Sequence, residues 1–152
     1  ASGQYRLLVL IDYTNPSTEK RFYILDLLQK KLLLSTYVAH GRGSGDNYAV
    51  AFSNRPGSYQ SSLGFFRTGD TYMGKNGYSL FLDGLEKGIN DKARERAIVV
   101  HGANYADPAV LKGQQRLGRS LGCPALPPDI SKQVIDTIKG GVLLYIYGLN
   151  KA

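Results

Sequence analysis

Short apolar runs, separated by glycine, proline and polar clusters, dominate the hydrophobic pattern of this chain. Runs rich in β-branched and aromatic side chains are typical of strands, and they predict strands at residues 5–12, 20–28, 31–39, 79–83, 97–101 and 142–147. The leucine-rich stretches within residues 20–39 also fit a helix. Their phenylalanine, tyrosine, isoleucine, threonine and valine content instead favours two strands, joined as a hairpin by Gln29 and Lys30.

One segment has the period of an amphipathic helix. Residues 127–129 carry a helix-start signal with an N-cap, and Gly140 and Gly141 mark the end of the helix. The apolar positions between them recur at helical spacing and predict a face packed on the core, formed by Ile130, Val134, Ile135 and Ile138. The whole pattern predicts a mainly antiparallel β fold with one clear helix, in a single domain over residues 1–152.

The composition is that of a globular domain with excess positive charge. Hydrophobic residues make up 43% of the chain, yet no apolar run approaches the roughly 18 residues of a membrane span. A net charge of +7 favours a polyanionic partner, such as nucleic acid, an anionic membrane surface or an acidic cell-wall polymer, or it serves only solubility. The basic residues are scattered and form no nucleic-acid recognition motif, which argues against nucleic acid. Residues 1–4 show no signal peptide, and export stays open.

The cysteine and histidine content limits the possible chemistry. One cysteine excludes an intrachain disulfide and leaves the redox compartment open. One cysteine and two histidines, without a His-Glu-x-x-His motif, are a poor set of metal ligands. We therefore expect neither a metal nor a cofactor.

The only cysteine and one histidine stand in positions that suit a nucleophile and a base. Cys123 lies in a Ser-x-Gly-Cys turn, and His101 ends the predicted strand at residues 97–101. A thiolate forms near neutral pH when a base or positive charge is close. Gly122 permits a sharp turn, so the N–H groups of Gly122 and Cys123 are candidates for binding an oxyanion. The alternative is a buried, inert cysteine and a structural histidine.

Two motifs carry a resemblance to a known family. The pair His101-Gly102, followed by Ser120-Leu121-Gly122-Cys123, resembles the L,D-transpeptidase (YkuD-like) catalytic domain. The turn is most similar to the murein L,D-transpeptidase catalytic domain subgroup, which reads Gly-Arg-Ser-x-Gly-Cys-Pro, as residues 118–124 do here. The resemblance extends from about residue 8 to residue 147. It implies an antiparallel β-sandwich of the L,D-transpeptidase catalytic type with one or two short helices.

Two positions depart from the commoner family pattern. Many members carry a histidine where this chain has Leu121, and an arginine or asparagine where it has Ala125. Both family residues help to bind or orient the substrate. Their replacement leaves the cysteine and histidine chemistry intact and changes the contacts expected of the substrate.

The resemblance implies a cysteine-dependent peptidoglycan L,D-transpeptidase. His101 would deprotonate Cys123, which would form a thioacyl-enzyme on a stem peptide and transfer the acyl group to an amine acceptor. With water as the acceptor the same enzyme would be an L,D-carboxypeptidase. Gly102 would fix the imidazole tautomer through its carbonyl, and the substrate-binding residues would be Arg119, Ser120, Leu121, Gly122, Tyr72 and Tyr78.

The same resemblance implies surroundings and partners for the enzyme. The partners would be peptidoglycan stem peptides, with β-lactams of the carbapenem class as inhibitors. The location would be periplasmic or extracellular, associated with the cell wall. The rival reading is a non-catalytic basic module that binds the cell wall, with Cys123 buried and inert.

Other segments receive simpler predictions. Residues 40–47 form a glycine-rich loop that contains His40, rather than a phosphate-binding loop, since no Gly-Lys-Ser/Thr motif follows. Residues 53–66 correspond to a family segment near the active cleft, and residues 68–78 suit a mobile lid or a substrate-binding surface. We expect the charges of residues 90–96 to be solvated and residues 104–119 to form an inserted surface loop.

Overall fold

The computed structural model describes residues 5–151. Residues 1–4, where the sequence shows no signal peptide, and residue 152 lie outside the described residues. The described elements are strands β1 Leu7–Asp12, β2 Phe22–Asp26, β3 Lys31–Thr36, β4 Gly64–Gly74, β5 Gly77–Gly84, β6 Val99–Gly102, β7 Ala125–Leu126 and β8 Leu143–Tyr147, with helix α1 Pro128–Ile138. Two short 3₁₀ helices, Asn104–Ala106 and Pro108–Lys112, lie between β6 and β7. The mainly β prediction with one clear helix is confirmed, and so is the hairpin of β2 and β3.

The strands form one sheet in the order β3-β2-β1-β8-β4-β5-β6-β7. Most neighbours are antiparallel, but β1 pairs with β8 and β6 pairs with β7 in parallel. Ala39, shortly after β3, makes an antiparallel bridge to Ala125 of β7. Because β3 and β7 are the two ends of the strand order, this bridge brings the edges together and nearly closes the sheet.

The inner face of the sheet and one face of α1 form the core. Along β1, Leu7, Val9 and Ile11 are buried, and the residues between them are partly exposed. This is the period-two pattern of a strand with one buried face. Helix α1 packs on β5 and β6 through Val134, Ile135 and Ile138, which are fully buried. The helical stripe expected from the sequence is therefore core.

Two local predictions are corrected. Helix α1 begins at Pro128 after Pro127, which has no side-chain acceptor, so Asp129 lies inside the first turn and the N-cap prediction is wrong. Proline fixes a backbone angle compatible with a first helical turn, and that conformation takes the place of a polar cap here. Residues 68–78 are not a separate lid, because they form the ends of β4 and β5 and the turn at Lys75 and Asn76.

Buried side chains of β5, the strand that pairs with β6 and His101, should contribute strongly to the free energy of unfolding. Leu80 of β5 is fully buried opposite Val100, so Leu80→Ala should lower the free energy of unfolding by about 2 to 5 kcal/mol through lost burial and a cavity. Leu28→Ala, at a position 75% exposed, is the matched control and should change it by less than about 0.5 kcal/mol. Urea denaturation measures both values, and equal losses would contradict this core assignment.

Candidate active site

The cysteine turn is bound along its length to a second segment of backbone. Arg42 N–H donates to the Ser120 carbonyl at 2.8 Å, and Ser120 N–H donates to the His40 carbonyl at 2.9 Å. Further along, Ala39 N–H donates to the Ala125 carbonyl at 2.8 Å. Hydrogen bonds therefore hold the turn on both sides of Cys123.

Two glycines allow these two backbone segments to lie so close together. A Cβ added to Gly41 would lie 2.8 Å from the Gly122 Cα, which is closer than real side chains come. Gly122 itself has φ +126, in the region that favours glycine, and an added Cβ would meet Ile98 Cδ1 at 2.9 Å. Backbone conformation and lack of space for a side chain therefore both explain why the Ser-x-Gly-Cys motif has glycine at this position.

Ser120 braces the turn from within. Its hydroxyl donates to the Cys123 carbonyl at 2.6 Å and accepts the Gly122 N–H at 3.1 Å. The expectation that the Gly122 N–H is available to an oxyanion is therefore wrong, because this group is already bound inside the turn. Among the described residues no acceptor is recorded for the Cys123 N–H, which leaves that donor available.

The Cys123 thiol is almost fully enclosed. The residue is 9% exposed, the Val99 N–H lies 3.4 Å from Sγ, and Sγ lies 3.4 Å from the Ala97 carbonyl. Burial raises the pKa of the Cys123 thiol above its ordinary value, since it penalises the anion. The resting sulfur is therefore a neutral thiol near pH 7.

His101 is buried and its tautomer is fixed. Its Nδ1 lies 2.9 Å from the Gly102 carbonyl oxygen. A carbonyl only accepts hydrogen bonds, so Nδ1 carries the proton and Nε2 has a free lone pair. Burial lowers the pKa of His101. The ring is therefore neutral near pH 7 and able to accept a proton.

Cys123 and His101 line the same cavity of about 380 Å³. Of the other residues named from the sequence, this cavity is also lined by Tyr72, Arg119, Ser120 and Leu121. Gly102 and Tyr78 line a neighbouring cavity of about 490 Å³. The tip of the β4–β5 hairpin, at Lys75 and Asn76, and the ring of Tyr105 border both cavities.

The two tyrosines named from the sequence differ in position. The Tyr72 ring stacks on Phe81 with centroids 4.3 Å apart and faces the cysteine cavity. The Tyr78 hydroxyl donates to the Asp136 carboxylate of α1, so the structure does not bring it to Cys123. Arg119, which lines the cysteine cavity, has Nη1 3.3 Å from the Gly45 carbonyl.

Four polar residues of this cavity were not singled out by the sequence reasoning: Lys75, Asn76, Arg96 and Tyr105. The prediction that the charges of residues 90–96 are solvated is wrong for Arg96. Its guanidinium instead binds residues 53–62, the segment expected near the cleft. The available signal was that Arg96 immediately precedes the strand that ends in His101.

His40 belongs to a different environment. It is fully buried, its Nδ1 accepts a hydrogen bond from Arg21 at 2.9 Å, and its Nε2 donates to the Gly45 carbonyl at 3.2 Å. Burial and the charge of Arg21 lower the pKa of His40 to about 4. His40 is a structural, neutral histidine beneath the segment that holds the cysteine turn.

Two findings concern the described residues as a whole, the first about metal ligands and the second about membrane-spanning helices. Within residues 5–151 no group of three or more histidine, cysteine, aspartate or glutamate side chains is arranged to hold a metal ion. In the same range no helix has both the length and the apolar character needed to cross a membrane.

Comparison with known families decides the assignment. The family model described as "L,D-transpeptidase catalytic domain" matches residues 1–147. The chain belongs to the L,D-transpeptidase catalytic domain family. The resemblance read from the His-Gly and Ser-x-Gly-Cys motifs is confirmed, and so is the expected fold of the L,D-transpeptidase type.

Solved structures show the same fold at low sequence identity. An L,D-transpeptidase from Mycobacterium smegmatis is 13% identical, with TM-score 0.56, and the match covers 94% of this chain and 59% of that one. The helical cell shape determining protein Pgp2 from Campylobacter jejuni is 16% identical, with TM-score 0.62, over 96% of this chain and 49% of that one. The L,D-transpeptidase LdtMt1, solved in complex with imipenem, is 13% identical, with TM-score 0.54, over 93% of this chain and 59% of that one. The chain thus spans about half to three fifths of these chains, and no curated protein matches it.

The two neutral histidines should make stability fall in acid. Unfolding restores their ordinary pKa of about 6.5, so below that pH the unfolded chain binds protons that the folded chain does not. The free energy of unfolding should therefore fall as the pH drops below about 6.5. The fall due to His40 should continue to about pH 4, its pKa in the folded chain, with a slope approaching about 1.4 kcal/mol per pH unit. His101, whose pKa burial also lowers, adds to the fall.

His40→Gln, which retains an acceptor for Arg21, should remove the His40 contribution to this slope whatever its effect on stability in neutral solution. Urea denaturation at several pH values measures it. An unchanged slope in the variant would contradict a neutral, buried His40.

Proposed function

We propose that this protein is a cysteine-dependent peptidoglycan L,D-transpeptidase. The observation that carries the proposal is the shared cavity of Cys123 and His101 in a chain of the L,D-transpeptidase catalytic domain family. The sole thiol and a neutral imidazole with a fixed tautomer supply a nucleophile and a base in one place. We also propose that residues 1–152 form a single catalytic domain.

The chemistry begins with two neutral groups. His101 Nε2 takes the thiol proton as Sγ of Cys123 attacks the carbonyl of the third stem residue, commonly diaminopimelate in this family. The tetrahedral intermediate collapses, its C–N bond breaks, and the terminal D-alanine leaves with the proton from His101. An amine from a second stem then attacks the thioacyl carbonyl and releases the sulfur. Water in place of the amine gives L,D-carboxypeptidase activity.

The surrounding groups have separate roles. The Gly102 carbonyl accepts from Nδ1 and so leaves the lone pair on Nε2 to act as the base, and Ser120 keeps the turn rigid through its two internal hydrogen bonds. The free N–H of Cys123 is the donor best suited to the oxyanion. Leu121, 53% exposed, offers an apolar contact to the stem where many family members place a histidine.

The cavity also suits an acidic substrate. Lys75, Arg96 and Arg119 line it, and none of the described lining residues is an aspartate or glutamate. Free carboxylates are a feature of peptidoglycan stems, and Arg119 is the arginine next to the cysteine turn that would meet one. This use of the positive charge supports a periplasmic or extracellular location at the cell wall, where such stems occur.

Product analysis tests the proposal. Wild-type protein incubated with purified muropeptides should give crosslinked or D-alanine-trimmed products, because Cys123 forms and releases the thioacyl group. Cys123→Ala should give none, and His101→Asn should be at least about 100-fold slower because the general base is lost. Chromatography with mass spectrometry measures all three. No product from the wild type, with the fold intact, would favour the non-catalytic cell-wall module.

A carbapenem provides an independent readout. A solved structure that shares this fold is an L,D-transpeptidase in complex with imipenem. We expect one covalent adduct on the wild type and none on Cys123→Ala, because only the thiol attacks the lactam carbonyl. Intact mass measures the adduct, and equal labelling of both proteins would place the reaction elsewhere.

A further inference from the structure

Arg96 is placed at the nucleophile by an unusual piece of backbone. The next residue, Ala97, has φ +57, a conformation that residues other than glycine seldom adopt. The carbonyl of this same Ala97 lies 3.4 Å from Cys123 Sγ. The turn thus presents Arg96 to the cysteine cavity three residues before β6 begins at Val99.

The Arg96 guanidinium is held firmly by neutral oxygen atoms. Nη1 donates to the Ser53 carbonyl at 2.9 Å and to the Ser62 hydroxyl at 2.7 Å. Nη2 donates to the Gln60 carbonyl at 2.7 Å and to the Ser58 hydroxyl at 3.2 Å. These bonds fix the position of the charge but do not neutralise it.

No carboxylate pairs with this arginine among the described residues. Arg94, two positions earlier, shows the contrast, since it forms an ion pair with Asp83 at 2.8 Å. A half-buried cation without a counter-ion is costly unless a negative charge forms beside it. The acidic group that lines the same cavity and interacts electrostatically with Arg96 is the thiol of Cys123.

The turn brings this cation close to the thiol. Arg96 Nη2 would lie 3.4 Å from a Cβ placed on Gly122, the residue before Cys123. Burial raises the pKa of Cys123, while the Val99 N–H and then the charge of Arg96 act to lower it. Burial lowers the pKa of Arg96, and its interaction with the Cys123 sulfur opposes that effect. Arg96 and Cys123 therefore interact electrostatically, and the hydrogen bonds of Arg96 fix the position from which its charge acts.

We propose that Arg96 is a positioning residue for the reactive sulfur: its fixed, unpaired positive charge supports the Cys123 anion that forms when His101 removes the proton. This inference rests on the proposed function, because it assigns a role within the same nucleophile. Arg96 would act through Cys123 and would not need to touch the stem peptide.

Other titratable groups also face the sulfur. The cavity contributes Lys75 and Arg119 as cations, His101 as the base, and the hydroxyls of Tyr72 and Tyr105. The buried Tyr13 is within electrostatic range of Cys123 as well, and burial raises its pKa to about 12, so it stays neutral. Lys75 lowers the pKa of Cys123 less than Arg96 does. Arg96 is the cation among these that four hydrogen bonds hold in place.

The rate of alkylation by iodoacetamide, followed against pH by intact mass, tests the proposal. Iodoacetamide is uncharged and forms an S–C bond with loss of iodide, so it reports the sulfur anion without any contact to a stem peptide. Arg96→Gln should alkylate about tenfold more slowly than wild type at pH 8, with its pH profile moved to higher pH. Arg96→Lys should retain most of the wild-type rate, because the charge stays.

Two controls separate charge from structure. Arg94→Gln removes the same charge from a nearby exposed site and should leave the profile unchanged. Ser62→Ala removes one hydrogen bond that holds the guanidinium but keeps the charge, and it should also leave the profile nearly unchanged. If Arg96→Gln fails to fold, Arg96→Lys and Ser62→Ala still decide, because a purely structural role predicts that both lose reactivity.

The outcomes distinguish this inference from the proposed function. A normal alkylation profile in Arg96→Gln, with slower turnover of muropeptides, would make Arg96 a substrate contact and overturn the inference while the transpeptidase proposal stands. A wild-type thiol that does not react at any pH would overturn both.

Discussion

The hydrogen bonding between residues 39–42 and residues 120–125 is the constraint on which the site depends. It brings the two ends of the strand order together and at the same time holds the cysteine turn on both sides. The contact is possible because Gly41 and Gly122 lack side chains where the backbones meet. Beneath it, Arg21 and a neutral His40 bind each other and the carbonyls of the same region. The cysteine is therefore presented by closure of the sheet, rather than by a flexible loop.

Burial sets the resting state of Cys123, the proposed nucleophile. It raises the pKa of Cys123 and lowers that of His101, so the pair rests as thiol and imidazole rather than as an ion pair. In the proposed mechanism, proton transfer then accompanies attack on the substrate. The positive side chains around the cavity matter at that moment, since they favour the anion that burial alone opposes. A neutral resting thiol is also a poor target for adventitious oxidation.

Features carried by local pattern could be predicted from the sequence. The hairpin of β2 and β3, the helical stripe of α1, and the motifs containing His101 and Cys123 each depend on residues close in the chain. Arg96, in contrast, reaches the site through contacts over long separations, such as those with the Ser53 and Gln60 carbonyls. A period-based reading assigns such side chains to the surface, because charge and hydroxyl groups alone do not show which segment will cover them.

The most direct test is to trap the acyl-enzyme. Wild-type protein would be mixed with a tetrapeptide stem, quenched in acid within the first turnover, and digested for peptide mapping by mass spectrometry. The account predicts a stem fragment lacking its terminal D-alanine, attached to the peptide that contains Cys123 and released by hydroxylamine as a thioester would be. Product formation with no such adduct, or an adduct on another residue, would contradict it.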